Sequence, residues 1–415
     1  MSLRKSGGGG RRAGVLQRSL GFACAMVAAL GLLLASGCGG GGGGSEAEGT
    51  ESTSVSGAGQ TLNILTWQTY HEPEWLQEVE DKLDIHVNAT NVGSITEALT
   101  KVRANPSEYD IVLATAGSLD KYVESDLLEP IDVKRVPNLR NNHLALPWQE
   151  GVTIGGKLYG IMYTWGTIPL AYVPESVEGL DLAKYENEKG EITNWNVLWD
   201  PALKGKVTIL EDALSVMPTV GLALGFADPW NMNEQQFEEF REKLFALRPQ
   251  IRALANGDDV QEAAFASGEA YVGLVGGPYV AGPLKEEGKE LVIKNEAEPG
   301  TAVWVDNYAI TKQGGASSPA KLAAAYEFIN FTLTVPWQAR MVAETGQSGM
   351  LDLQQATSAA AKAQGLGRAE IAETLIPETE NGPAFFSKLH LLQEYSDLEA
   401  MLEVWNEFTS GVGGL

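Results

Sequence analysis

The sequence predicts an α/β protein built as two lobes, and three observations indicate this. Short apolar segments typical of strands alternate with segments typical of helices, as in parallel or mixed sheets that are covered on both faces. The chain has 415 residues, which is enough for two hydrophobic cores. Two hydrophobic segments, residues 157–173 and 301–310, lie where the chain is expected to pass from one lobe to the other. Clefts between such lobes are common ligand sites.

The amino terminus is predicted to be an export signal that covers residues 1–37. Five basic residues and no acid precede a nearly continuous apolar run at residues 20–34, which ends in Ala-Ser-Gly before Cys38. This ending resembles the lipobox of bacterial lipoproteins, and the resemblance implies cleavage before Cys38 and a diacylglycerol on its sulfur. Cys24 lies inside the predicted signal, so the mature chain is expected to have no internal disulfide. The alternative is an ordinary signal peptide with an incidental Cys.

Residues 38–60 are predicted to be a flexible tether, because Gly, Ser, Glu and Thr dominate them and they offer little apolar surface to bury. The whole chain has a formal net charge of −24, and removal of the five basic residues of the signal gives −24 − 5 = −29. Such a surface repels nucleic acid and anionic headgroups and favours cations.

The first lobe is predicted to comprise residues 61–166 plus about 305–345. It begins with a strand that ends at Trp67, and then has a helix at 74–82, a strand at 85–89, a helix at 95–104 and a strand at 109–114. Ligands of such sheets bind beyond the carboxyl ends of the strands. Trp67 and Tyr70 follow one of these ends.

The second lobe is predicted to comprise residues 167–304 plus about 346–415. Its pattern has a strand at 206–210, a helix after Asp212, a helix at 233–247, a helix at 260–265 and then a turn and a buried strand. A further helix at 319–333 follows the return of the chain to the first lobe.

The segment 301–310, TAVWVDNYAI, is predicted to be a largely buried strand. Trp304 and Asp306 are two residues apart, so both side chains are expected on the same face of it. An indole beside a carboxylate suits an organic cation, because the ring face attracts positive charge and the carboxylate pairs with an ammonium. The alternative is a core Trp next to an Asp that caps the following turn.

The sequence offers little to nucleophilic or metal-dependent catalysis. Its four His residues, 71, 86, 143 and 390, have no metal-binding spacing, and the chain has neither a GxSxG elbow nor a phosphate-binding P-loop. We therefore expect no catalytic residue, no metal site and no cofactor. A pair of carboxylates for glycoside hydrolysis stays open at this point.

Six segments together resemble the spermidine/putrescine-binding proteins and lipoproteins of polyamine ABC importers. They are ILTWQTY, YDIVLAT with LDKYV, YGIMYTWGT, WDPALKGKVTILEDA, SGEAYVGL and VWVDNYAI. The resemblance covers about residues 61–350. It implies a two-lobe periplasmic-binding-protein fold of type II, no enzyme activity, and delivery of a polyamine to a membrane permease with a cytoplasmic ATPase. It also implies a monomer that is exported and held at the cell membrane by its lipid.

The family holds its ligand between aromatic rings and binds the amines with carboxylates. The resemblance transfers this role to Trp67, Tyr70, Asp212, Trp304 and Asp306. Trp165 also matches a family motif, where packing at the hinge is the alternative role. For the other residues the alternatives are a packing aromatic or a capping acid.

The chain departs from the family pattern at several site positions. Ser215 stands where the family has a second carboxylate, and we retain it as a candidate site residue. Family aromatics are replaced by Gly117, Gly276 and Gln347. Each lost cation–π contact removes about 0.5–2 kcal/mol. Tyr279 and Tyr308 are nearby residues that would refill the box.

Other functions stay open from the sequence alone. Within the same fold, the ligand would be another amine, an amino-acid derivative or thiamine. A hydrolase outside the cytoplasm and a lipoprotein that acts as an adaptor or sensor are the alternatives from other classes.

Overall fold

A computed structural model describes residues 55–142, 146–345, 347–350 and 383–412. The predicted signal, the lipidation site Cys38 and the tether up to residue 54 lie outside the described residues. Within the described residues, no helix is both long and apolar enough to cross a membrane.

The folded part begins a few residues before the predicted end of the tether at residue 60. The Gly57 amide donates to Glu327 Oε1 (3.1 Å), and the Gly59 amide donates to the Asp84 carbonyl (2.7 Å). Gly57 is buried against the backbone of Ala324, at a distance that leaves no room for a side chain. The tether therefore ends before Gly57.

The strands and helices alternate along most of the chain. The strands are β1 (Thr61–Trp67), β2 (His86–Val92), β3 (Ile111–Thr115), β4 (Thr153–Ile154), β5 (Lys157–Leu158), β6 (Ile161–Thr167), β7 (Leu170–Tyr172), β8 (Val207–Leu210), β9 (Ile251–Ala255), β10 (Val272–Leu274), β11 (Val292–Lys294), β12 (Thr301–Ile310), β13 (Ser348–Gly349) and β14 (Leu389–Leu391). The helices are α1 (Pro73–Leu83), α2 (Ile95–Ala104), α3 (Leu119–Glu124), α4 (Pro174–Val177), α5 (Ala213–Ala223), α6 (Glu234–Ala246), α7 (Asp258–Ala266), α8 (Ala281–Glu286), α9 (Pro319–Thr332), α10 (Val335–Thr345), α11 (Pro383–Phe386) and α12 (Leu398–Ser410).

Polar caps set the starts of several helices. Ser94 accepts from the Glu97 amide at the start of α2, and Ser318 accepts from the Lys321 amide at the start of α9. Asn233 and Gln236 form a reciprocal capping box at the start of α6. These side chains bind amide groups that have no partner inside the helix, which stabilises each start by about 0.5–2 kcal/mol.

The two large sheets share one arrangement of parallel and antiparallel neighbours. In the first, β2, β1 and β3 are parallel neighbours, and β12 and then β6 continue the sheet, with β12 antiparallel to both of its neighbours β3 and β6. In the second, β9, β8 and β10 are parallel neighbours, followed by the antiparallel β7 and by β11. Each sheet thus places the carboxyl ends of three parallel strands at one edge, where ligands of open α/β sheets bind.

The two sheets have separate hydrophobic cores. Trp75, Tyr163 and Phe328 belong to the core around the first sheet, whereas Trp195, Phe240 and Phe408 belong to that around the second. The predicted α/β class with two sets of strands and helices is therefore confirmed. The assignment of whole residue ranges to two lobes stays a prediction.

The described residues after 346 contribute strands to the first sheet and a helix to the second core. Strand β13 pairs with β6, and β14 pairs in parallel with Thr301–Val303 of β12. Strand β3 pairs with β12 only from Asp306 onward. The residues Thr301–Val303 at the start of β12 are therefore free to pair with β14. Helix α12 then packs in the second core through Met401 and Phe408.

Candidate functional site

The predicted site residues lie at the carboxyl edges of the two sheets. Trp67 ends β1, and Thr115 ends the neighbouring β3. Because β12 runs against β3, its Asp306 pairs in register with Thr115 at the same edge. On the second sheet, Asp212 follows β8 by two residues. The topology therefore brings residues that are far apart in sequence to two corresponding edges.

Asp306 is a buried carboxyl bound by hydroxyl groups. Only 4% of it is exposed; the Tyr70 hydroxyl donates to Oδ2 (2.7 Å), and the Thr115 hydroxyl donates to Oδ1 (2.5 Å). Burial raises the pKa of the Asp306 carboxyl to about 6, while the bonds from Thr115 and Tyr70 act in the opposite direction. Burial together with the Asp306 charge also raises the pKa of the Tyr70 hydroxyl, which stays a neutral donor.

The two predicted tryptophans contact different parts of the site. Trp67 lies beside the Asp306 carboxyl, and its buried indole N–H has no hydrogen bond of normal geometry to a described residue. Trp304 lies over Gly166 and packs against the second core, and its indole N–H donates to the Gly276 carbonyl (2.8 Å). Trp304 and Asp306 thus connect strand β12 with both sheets.

Asp212 is the N-cap of helix α5, as the alternative of a capping acid predicts. Its Oδ2 accepts from the Ser215 amide (3.1 Å) and from the Ser215 hydroxyl. Burial raises the pKa of the Asp212 carboxyl, although these hydrogen bonds oppose the shift. Tyr395 lies near this carboxyl and has a buried hydroxyl without a hydrogen-bond partner among the described residues.

Asp258 was not predicted from the sequence as a site residue, but it lies at the same edge of the second sheet. It starts α7, three residues after the last residue of β9, and the Tyr279 hydroxyl lies near its carboxyl. Burial raises the pKa of Asp258. The signal that would have found it is an acid just beyond the carboxyl end of a parallel strand.

Gly117 lacks the family's aromatic side chain for a structural reason. Its φ is +86°, and a Cβ at this position would come within 2.7–2.9 Å of the Gln393 backbone. The segment that follows β14 therefore crosses this position, and Lys121 on α3 forms an ion pair there with Glu394. The sequence pattern does not reveal this contact, because the partners are more than 250 residues apart.

Two other candidates, Trp165 and Tyr308, pack in the first core. Trp165 is buried between Phe385 and Phe386, and its indole N–H donates to the Gly349 carbonyl (3.0 Å). Tyr308 is buried in the first core, so it does not refill the box; its hydroxyl contacts His71 Nε2 (2.7 Å). Gln347 is buried, and its Oε1 has no hydrogen-bond partner among the described residues.

The acids of the site have no basic partner in the part of the chain that the structure describes. The ion pairs found there include none with Asp212, Asp258 or Asp306. Groups of three or more His, Cys, Asp or Glu that would hold a metal ion are also absent from these residues. Buried carboxylates without a counter-ion are costly, and an organic cation would compensate them.

Comparison with known proteins identifies the family. Residues 74–364 match the family model described as bacterial extracellular solute-binding protein. The chain belongs to this family. Its members bind solutes for ABC importers and do not catalyse a reaction, so the predicted class of function is confirmed and a transporter permease is the partner.

The receptor is also similar to individual curated proteins. It is 24% identical over 298 residues to the putrescine-binding periplasmic protein SpuD of Pseudomonas aeruginosa, covering 68% of this chain and 78% of that protein. It is 25% identical over 283 residues to the spermidine/putrescine-binding periplasmic protein 1 of Haemophilus influenzae, covering 68% and 72%.

A solved structure supports the predicted fold. A putative spermidine/putrescine ABC transporter protein from Listeria monocytogenes aligns with a TM-score of 0.65 and 24% identity, over 85% of this chain and 98% of that one. The periplasmic-binding-protein fold is therefore confirmed.

Proposed function

We propose that this receptor binds an organic cation with ammonium groups, of the putrescine or spermidine type, between the carboxyl edges of its two sheets. In this proposal Trp67, Tyr70 and Asp306 contact the ligand from the first sheet. Trp304 and Asp212, capped by Ser215, contact it from the other side. Trp165 serves as a packing residue behind the site.

The buried Asp306 carboxyl carries the proposal. It accepts bonds from two hydroxyls and lies beside the Trp67 indole, but no described cation compensates its charge. An ammonium group would pair with the carboxylate, and the indole face would contact its methylenes and its charge. An anionic solute would be repelled by the three acids. The relatives described above are putrescine-binding and spermidine/putrescine-binding proteins, which supports the same ligand class.

Calorimetric titration with putrescine and spermidine tests the ligand class. We expect saturable binding of at least one of them, and mass spectrometry of molecules released from freshly purified, denatured protein is expected to detect an amine. If neither polyamine binds at millimolar concentration, the polyamine assignment is wrong, whereas membership of the receptor family is unaffected.

The replaced aromatics favour one alternative within the same class, a receptor for a different amine. Gly117 and Gly276 remove rings that the family resemblance places around the polyamine chain. Added arginine, agmatine or thiamine in the same titration distinguishes this alternative, because a different amine would then bind more tightly than putrescine.

We infer further that the mature chain is a monomer held at the outer face of the membrane by a lipid on Cys38. The basic, apolar and small-residue order before Cys38 supports this. In cells labelled with a fatty acid, the wild-type protein is expected to carry the label and to sediment with membranes, and Cys38→Ser is expected to lose both properties. Label on the variant would contradict the assignment. Light scattering of protein that lacks the lipid anchor tests whether the chain is a monomer.

A further inference from the structure

Two polar side chains that follow strands of the second sheet occupy the space where a side chain of residue 276 would lie. A Cβ on Gly276 would lie 2.9 Å from Asp258 Oδ1 and 2.9 Å from the Tyr279 hydroxyl. The absence of a side chain at Gly276 therefore makes room for the Asp258 carboxyl and the Tyr279 hydroxyl to lie close together. The Trp304 indole N–H fixes this turn by donating to the Gly276 carbonyl (2.8 Å).

The topology explains why these groups meet. Asp258 follows β9, and Tyr279 follows β10, and both strands pair in parallel with β8. Three residues after Asp258, on the same face of α7, the Gln261 amide donates to the Leu274 carbonyl (2.8 Å). Gln261 is fully buried, and its Oε1 acceptor has no partner among the described residues. The base of this turn is thus rich in acceptors.

The Tyr279 hydroxyl also faces the first sheet. Its surroundings include Asp306 as well as Asp258, and Tyr70 lies close enough to interact with it. Tyr279 therefore interacts electrostatically with carboxyls that belong to both sheets. The charged neighbours of Asp258 itself are the acids Asp259 and Glu262, so the local charge is negative.

We propose that Asp258 and Tyr279 form a second ammonium subsite, opposite Asp306, which replaces the family's aromatic at Gly276 and its second carboxylate at Ser215. One ammonium of the ligand pairs with Asp306 and another with Asp258, whose carboxylate is oriented by the Tyr279 hydroxyl. The pair therefore determines specificity, because a ligand with two positive charges occupies both subsites and a monoamine only one. This proposal rests on the proposed function and assigns to this chain two residues that the resemblance does not transfer.

Titration of putrescine against butylamine, a monoamine with the same carbon chain, tests the second subsite. For Asp258→Asn we expect putrescine to bind about ten- to a hundredfold more weakly, since hydrogen bonds to charged groups contribute that much, and butylamine to bind as before. Tyr279→Phe retains the ring and is expected to lose about threefold to tenfold, again for putrescine alone. The ratio of the affinity for putrescine to the affinity for butylamine should therefore fall in both variants.

Asp259→Asn is the matched control, because it removes the same charge from the next residue of α7, where the side chain is exposed. It is expected to leave both ligands unchanged. Equal losses in Asp258→Asn and Asp259→Asn, or equal losses of putrescine and butylamine in Asp258→Asn, would overturn the subsite. A melting curve of each variant checks that it is folded.

Failure of the proposed function gives a different pattern. If wild-type protein binds no polyamine, its melting temperature is measured with agmatine and other organic dications that are not polyamines. Stabilisation that is lost in Asp258→Asn and retained in Asp259→Asn supports the subsite, although the polyamine assignment is then wrong. No stabilisation by any dication overturns both proposals.

Discussion

Asp306→Asn is expected to weaken binding of a cationic ligand by about thirtyfold to several thousandfold. Removing one partner of a buried, hydrogen-bonded charge pair costs about 2–5 kcal/mol, and each 1.4 kcal/mol corresponds to a factor of ten. Asn has nearly the same shape as Asp and retains a carbonyl oxygen for one of the two hydroxyl donors, so the loss reports on the charge. Calorimetric titration of the variant with the preferred ligand measures it.

The same substitution is expected to increase the stability of the ligand-free protein. The pKa of Asp306 is about 6 in the folded protein and near 3.8 without burial, so folding favours its protonated form. Its ionisation therefore opposes folding, fully above pH 6 and progressively less as the pH falls toward 3.8. At neutral pH the variant removes this unfavourable contribution to the free energy of folding, which amounts to at most about 3 kcal/mol. Urea unfolding of both ligand-free proteins measures the difference.

Asp200→Asn provides a control with the opposite pattern. Asp200 is also buried, but it is paired with Lys184 (2.8 Å) and accepts from the Tyr185 hydroxyl (3.0 Å), away from the site. We expect this variant to lose about 1–3 kcal/mol of stability and to bind the ligand normally. If Asp306→Asn instead lowers stability and retains binding, Asp306 is a structural acid and not a ligand.

Local sequence patterns predicted most of the fold because each element has its own periodicity and limits. Strand β12 and helix α2 have the predicted bounds, α6 is one residue shorter at each end, and α9 is one residue shorter at its carboxyl end. The alternation of strands and helices also placed Trp67 at the end of a strand and Asp212 just after another. These features depend on a few neighbouring residues, which a single sequence displays.

Contacts between distant residues could not be predicted in this way. The sequence suggests only that Gly117 has replaced an aromatic residue of the family. In the structure the backbone of Gln393 lies next to Gly117, and no local sequence pattern predicts that these two positions are in contact. Tyr308 is two residues after Asp306 on β12, so a regular strand would place both side chains on the same face. The pairing register with β6 shifts between Asp306 and Asn307, however, and Tyr308 lies in the first core. A strict period of two does not foresee such an irregularity.

Ligand affinity is expected to fall below about pH 6, because the ammonium pairs with the ionised form of Asp306. From pH 7 to 8 the carboxyl is ionised and a primary amine stays protonated, so affinity should be constant; below the pKa of Asp306, about 6, each further unit weakens binding about tenfold. His71 does not produce this dependence, because burial lowers its pKa to about 3. Titrations at constant ionic strength measure the profile.

Tyr70→Phe distinguishes Asp306 from other acids as the source of this pH dependence. The Tyr70 hydroxyl donates to Asp306 Oδ2 and thereby lowers the pKa of the carboxyl, so its removal should move the midpoint of the profile to higher pH. Asp212 and Asp258 also have raised pKa values, but neither accepts a hydrogen bond from Tyr70, so their titration should not shift with this variant. A midpoint that stays in place would assign the pH dependence to the second sheet, and affinity that is the same at pH 5 and pH 7.5 would exclude Asp306 as the anion that holds the ligand.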